Sequence, residues 1–409
     1  MMLHPDLGYF DEGADLTDAT LYESASRPFG EASVLPPLAF RSKIFSDLED
    51  EKIWSRSWVA VGTQQEIPNA GDLLPFTIGN HGIHVQRNDD GSLTGRFNKA
   101  QHGGCRAVPL QCQTGSKTKC SFTSCGFSRD RDGIPAGELG DNTPAMHQYL
   151  GLVPERLLPV KVETWGPFIF ANLDPASHPL MEELDDLPDR VGAYVEQARS
   201  LGAKAWLERP SNWKLAGRAF GGSGGSEPAA HAKGGGRAAS MAGRAHAYTL
   251  EVVALGDARL GHACGGTLLP LPGLSSVQAS RGALCWVFPN LLIAALPTHL
   301  VSVILQPLSM AESLQRFCLF TANDAGTVAD GEIAQLREAW LDTLRRNAAR
   351  AESLQELADG WGTPRQPETT DRDLPREDDP TSYVFQSYII GKILEEHETY
   401  RNAPLYGRA

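Results

Sequence analysis

The sequence predicts an α+β chain in which a small antiparallel β unit precedes a larger unit of strands and long helices. Three observations carry this. From Trp58 to about Leu173, apolar and polar residues alternate in short runs separated by turn signals such as PNAGD, RNDDGS and RDRDG. Segments rich in β-branched and aromatic residues then recur over 247–257, 283–295 and 300–320. Helical spacing closes the chain over about 329–358 and 380–396. With 409 residues, 41% hydrophobic and 21% charged, the chain has ample material for a core and does not have a disordered composition.

The elements follow in order. Residues 1–45 are mixed and interrupted by proline, and SDLEDEKIWSR predicts a helix from Ser46 to about Arg56. IHVQRNDDGSLTGRF reads as a hairpin whose turn is supplied by Asp-Asp-Gly. KVETWGPFIFANLD is a second strand region that ends the β unit. HPLMEELDDLPDRVGAYVEQARSLG has helical spacing and an acidic character.

Charge narrows the partners. A formal charge of −13 argues against a nucleic-acid surface or an anionic membrane surface. No run of about 18 apolar residues is present to span a bilayer. The first residues, MMLHPDLGYFDEGADLTD, are acidic and lack a basic start followed by an apolar run. A secretory signal is therefore not expected, and a cytoplasmic location is. In a reducing compartment, clustered cysteines point to metal or redox chemistry before disulfides.

Two residue types are unevenly spread. Four of the seven cysteines fall between Cys105 and Cys125, and seven of the 41 glycines fall between Gly221 and Gly236. The glycines lack both the Gly-Lys-Ser/Thr ending of a phosphate loop and a G-x-G-x-x-G turn after a strand.

The order of segments resembles one family. KIWSRSWVAVGTQQEIPNAGDLLPFTIGNHGIHVQRNDDGSLTGRFN, SNWKLA at 211–216, VFPNLLI at 287–293 and EDDPTSYVFQS at 377–387 resemble the α subunits of Rieske-type aromatic-ring-hydroxylating oxygenases. The resemblance implies an N-terminal Rieske [2Fe–2S] domain over 46–175. It implies a C-terminal mononuclear-iron domain of helix-grip type, an antiparallel sheet around a long helix, over 176–409. Residues 1–45 would be a helical segment packing on that second domain.

A Rieske cluster takes two thiolates and two imidazoles from two loops. The family pattern is Cys-x-His followed by Cys-x-x-His. Here Ala100 stands at the first cysteine position and His102 at the first histidine position. After seventeen further residues Cys120 falls on the second cysteine, but Thr123 stands at the second histidine position. A normal cluster is therefore not expected. His102-x2-Cys105 and Cys120-x4-Cys125 instead offer one imidazole and three thiols at spacings suited to tetrahedral zinc, with Cys112 as a possible substitute. The alternative is that these cysteines are small buried hydrophobes without a metal.

The family's catalytic iron is held by two histidines and a carboxylate. Aligned from Asn212, Phe220 and Gly222 match the pattern, while Arg218 and Ala219 replace its acidic-Asn pair. Ser223 stands at the position of the aspartate that couples neighbouring subunits. Ser226 takes the first histidine position and His231 the second. Asp378, eight residues before Gln386, matches the carboxylate ligand. Glu377, Asp378 and Asp379 also read as a plain acidic helix start. A site reduced to His231 and Asp378 would hold mononuclear iron weakly, and a glycine-rich segment does not aim ligands rigidly.

Three functions compete. The chain could be a non-catalytic α-like subunit, supporting or regulating an intact catalytic α subunit in a hetero-trimer or hetero-hexamer. It could be an atypical oxygenase or other enzyme using a reorganised metal site at His231 and Asp378 or the vacated helix-grip pocket, and a homotrimer is the alternative assembly. It could be a small-molecule binding module, since such a cavity is a natural apolar pocket.

Overall fold

The computed structural model describes residues 9–97, 158–221, 247–257, 259–260, 268–322, 330–360 and 374–395. Two six-stranded antiparallel sheets organise them. The N-terminal sheet contains β1 (Val59–Thr63), β2 (Leu73–Ile78), β3 (His81–Arg87), β4 (Leu93–Phe97), β5 (Pro159–Trp165) and β6 (Phe168–Asn172), in the order β1-β6-β5-β4-β3-β2. The hairpin between β3 and β4 closes as its sequence predicts. Arg87 pairs with Leu93, Asn88 donates its N–H to the Ser92 carbonyl at 2.8 Å, and Gly91 takes φ +82°, a conformation that glycine adopts without strain.

The second sheet contains β7 (Ser200–Arg209), β8 (Tyr248–Ala254), β9 (Arg281–Val287), β10 (Leu291–Ala295), β11 (Leu300–Ser309) and β12 (Glu312–Thr321), in the order β8-β9-β10-β11-β12-β7. The region 283–295 thus forms two strands joined by a tight turn, with Val287 paired to Leu291. Pro289 has no N–H to give to a ladder, which ends β9. Every residue of β10 is buried, as befits a central strand covered on both faces.

Helices complete the second unit. α1 (Leu38–Arg41) and α2 (Lys43–Glu49) precede the first sheet. The Ser42 hydroxyl caps α2 by accepting the Phe45 N–H at 3.0 Å, so the helix starts three residues before the predicted Ser46. It relaxes into a wide turn in which Ser55 donates its N–H to the Asp50 carbonyl. The acidic stretch after β6 forms α3 (Leu180–Leu184) and α4 (Leu187–Gln197). α5 (Trp213–Gly221) follows β7, and α6 (Asp330–Gly360) and α7 (Pro380–Leu394) lie close to the predicted bounds. Trp340 on α6 donates its indole N–H to His299 at 3.0 Å, and burial pulls that imidazole down to about 3, so it stays neutral.

The two sheets meet along β1. The Asn290 side chain donates to the Ala60 carbonyl and accepts the Ala60 N–H, both at 2.9 Å. It also donates to the Leu305 carbonyl, so one buried amide bridges both sheets. Arg316 on β12 donates to the Val61 carbonyl while its guanidinium lies 4.6 Å from the Phe76 ring and 4.1 Å from the Trp206 ring. Among the described residues no helix is long and apolar enough to cross a membrane.

A buried ion pair fastens the helices. Lys214 Nζ lies 2.5 Å from Glu49 Oε1, with side chains 2% and 4% exposed. Replacing Lys214 with Met is expected to cost about 3–5 kcal/mol, because Glu49 is left charged and buried. The Lys214→Met/Glu49→Leu double variant should regain most of that loss, read from urea unfolding midpoints.

Candidate functional site

α5 is the element on which the iron-site expectation rests, and its start is built from SNWKLA. Asn212 accepts the Lys214 N–H on its side-chain oxygen at 3.0 Å, capping the helix. Its own N–H is taken by Gln355 of α6 at 2.9 Å, and its amide donates to the Met310 carbonyl at 2.7 Å. Trp213 donates its indole N–H to Glu49 at 3.2 Å. The Lys214 ammonium is 5.3–5.6 Å from the ring centroids of Trp213, Phe45 and Phe40. Burial pushes the Glu49 carboxyl up and the Lys214 ammonium down, and each charge opposes the shift of the other. The motif is thus an anchor for α5.

The next turn of α5 faces an aromatic stack. Trp286 of β9 stacks on Phe385 of α7, with centroids 3.9 Å apart, and Phe385 meets Trp213 edge-on at 5.6 Å. Phe288 lies 5.1 Å from Phe385 and 5.0 Å from Tyr388, whose hydroxyl bonds Ser57 at 2.8 Å. Gly217 permits this closeness: a Cβ there would lie 2.2 Å from the Trp286 ring. Rings from α5, β9 and α7 therefore occupy the corner between these two helices and the sheet.

At the far end of α5, Arg218 meets the approach to α7. Its guanidinium lies 2.9 Å from Glu377 Oε1 and 3.9 Å from Asp378 Oδ1. The Glu377 side chain is 2% exposed, whereas that of Asp378 is 87% exposed. Asp379 is buried and caps α7 by accepting the Thr381 N–H, with Pro380 in the first turn. Desolvation lifts the Glu377 carboxyl to about 7, against the pull of Arg218.

Of the sequence-predicted site residues, only Asp378 is described. His102, Cys105, Cys112, Cys120 and Cys125, and Ser226 and His231, lie outside the described residues. No three His, Cys, Asp or Glu side chains among the described residues are grouped as metal donors. Asp378 itself is turned to solvent, with a guanidinium as its charged neighbour. A cation held by Asp378 would have the Arg218 guanidinium, of like charge, as its neighbour. The described donors at this corner do not fit iron. They form an ion pair that joins two helices. Sequence reasoning singled out Asp378 and passed over Glu377, although the alternation of an extended segment offered the signal, since neighbouring residues face opposite ways.

No family model matches the chain. Among curated proteins it is 25% identical over 225 residues to the N,N-dimethyl phenylurea N-demethylase subunit alpha of Sphingobium sp. (strain YBL2), covering 52% of this chain and 48% of that protein. It is 28% identical over 200 residues to the biphenyl 2,3-dioxygenase subunit alpha of Rhodococcus jostii (strain RHA1), covering 46% and 40%. The matched region spans about half or less of these relatives. Among solved structures, the quaternary ammonium Rieske monooxygenase CntA has a TM-score of 0.61 at 16% identity, over 91% of this chain and 98% of that one. Naphthalene 1,2-dioxygenase from Rhodococcus sp. has a TM-score of 0.60 at 18% identity, over 93% and 99%. The chain therefore resembles Rieske-type oxygenase α subunits in sequence over about half its length, and has their fold.

The contact at Gly217 is directly testable. Gly217→Ala drives a methyl into Trp286 and is expected to cost about 1–3 kcal/mol. A lowered unfolding midpoint with an unchanged slope is the expected reading.

Proposed function

We propose that this chain, whose fold and relatives are those of Rieske-type oxygenase α subunits, is a non-catalytic α-like subunit that supports or regulates an intact catalytic α subunit. One observation carries the reading: Ala100, Thr123 and Ser226 stand at three of the ligand positions implied by the family pattern, while the framework segments remain. Alanine offers no donor, and hydroxyls are poor substitutes for imidazole at iron. The partner in this reading is a homologous α chain with complete ligand sets, joined in a hetero-trimer or hetero-hexamer. One solved relative is described as revealing inter-subunit electron transfer, which supports an assembly in which interfaces matter. The units are taken as 46–175 and 176–409, with residues 1–45 packed on the second.

Native mass determination of the complex purified from its own host tests this. A second α-type chain with complete ligands is expected. A homotrimer alone, showing the visible and electron-spin spectra of a Rieske cluster and turning over with a reductase, overturns the reading.

Zinc is the metal this reading gives to His102, Cys105, Cys120 and Cys125, because three thiols and one imidazole suit it. Cys105→Ser and Cys125→Ser are each expected to lower bound zinc and the melting temperature. Unchanged metal content in both variants rejects zinc.

A further inference from the structure

The Arg218–Glu377 pair is held by more than its own attraction. Three stretches distant in sequence converge on it. Glu377 donates its N–H to the Ala32 carbonyl at 2.9 Å, Ser33 pairs with Arg376, and Val34 donates to the Pro375 carbonyl at 2.9 Å. This short ladder keeps residues 375–377 extended, so Glu377 faces α5 while Asp378 faces solvent. Gln386 of α7 donates to the Ala25 and Ser33 carbonyls, both at 2.9 Å, which fastens the same N-terminal strap to α7. Glu377 Oε1 also accepts the Asp379 N–H at 3.1 Å. The carboxylate thus has a fixed place, and the charge that meets it comes from α5.

We propose that the Arg218 guanidinium does at this corner what the family's metal would do, joining α5 to the approach of α7, so that their packing is independent of metal. In the resemblance, an acidic-Asn pair occupies 218–219 and a metal links this helix to the carboxylate before the last one. Here a cation is carried by the chain itself. A fixed guanidinium supplies the positive charge that the inward carboxylate needs, with a directional hydrogen bond and no dissociable ion. The inference rests on the non-catalytic reading but is separately testable.

Hydrogen exchange of the full chain, followed by mass spectrometry in peptides covering 380–394, gives the readout. In the unaltered protein, exchange is expected to be the same in EDTA and in anaerobic Fe(II). Arg218→Met is expected to speed it about tenfold or more, because Glu377 loses its partner in a buried place. Adding Glu377→Gln should restore most of the protection, since the amide removes the stranded charge. Should the Arg218→Met chain not fold, Arg218→Lys carries the comparison, with faster exchange expected. Slower exchange in Fe(II), or an unchanged rate in the Arg218 variants, overturns the proposal. Oxygenase turnover by this chain would defeat the non-catalytic reading and leave the ion-pair result standing.

Discussion

The buried contact between Lys214 and Glu49 is the constraint on which the second unit depends. An ammonium and a carboxylate taken out of water each lose several kcal/mol of hydration, and only close pairing with further hydrogen bonds offsets that. Both conditions are met, since Trp213 donates to the same carboxylate and three rings surround the ammonium. The consequence is geometric. α2 and α5 cannot move apart without stranding two buried charges, so the direction of α5 is set at its first turn. Through Asn212, the same turn is tied to α6 and to the connection between β11 and β12.

From that fixed start, α5 runs between an aromatic stack and an ion pair. Trp286 and Phe385 settle how closely α5, β9 and α7 approach, and Gly217 is the residue that allows it. Arg218 and Glu377 then close the far end. The second unit is linked to the first by Asn290 and Arg316, whose partners are backbone carbonyls of β1. Packing of this kind ties α2, α5, β9 and α7 together through an ion pair at each end of α5 and a ring stack between them.

Much of this architecture was legible in the chain. Alternation with Asp-Asp-Gly located the β3–β4 hairpin, and the helical spacing of 329–358 and 380–396 located α6 and α7, because such periodicities are local properties. Strand endings were harder. The run 283–295 is apolar throughout, so only the turn at Pro289 and Asn290 separates β9 from β10. SNWKLA was legible as the entry to a helix, but not as an anchor, since its partner Glu49 lies 165 positions away.

The sequence alone located the β3–β4 hairpin, α6 and α7, and it places Ala100, Thr123 and Ser226 where the resemblance implies ligands. Those facts depend on residue identity and near neighbours. Tertiary structure alone decided which of three consecutive carboxylates meets Arg218, which caps α7 and which faces solvent. Glu377, Asp378 and Asp379 are chemically alike in one dimension, and only the strap formed by residues 32–34 turns the first toward Arg218, 159 positions away. Burial and charge pairing are relations between distant segments, and they arise only when the sheet and the helices have come together.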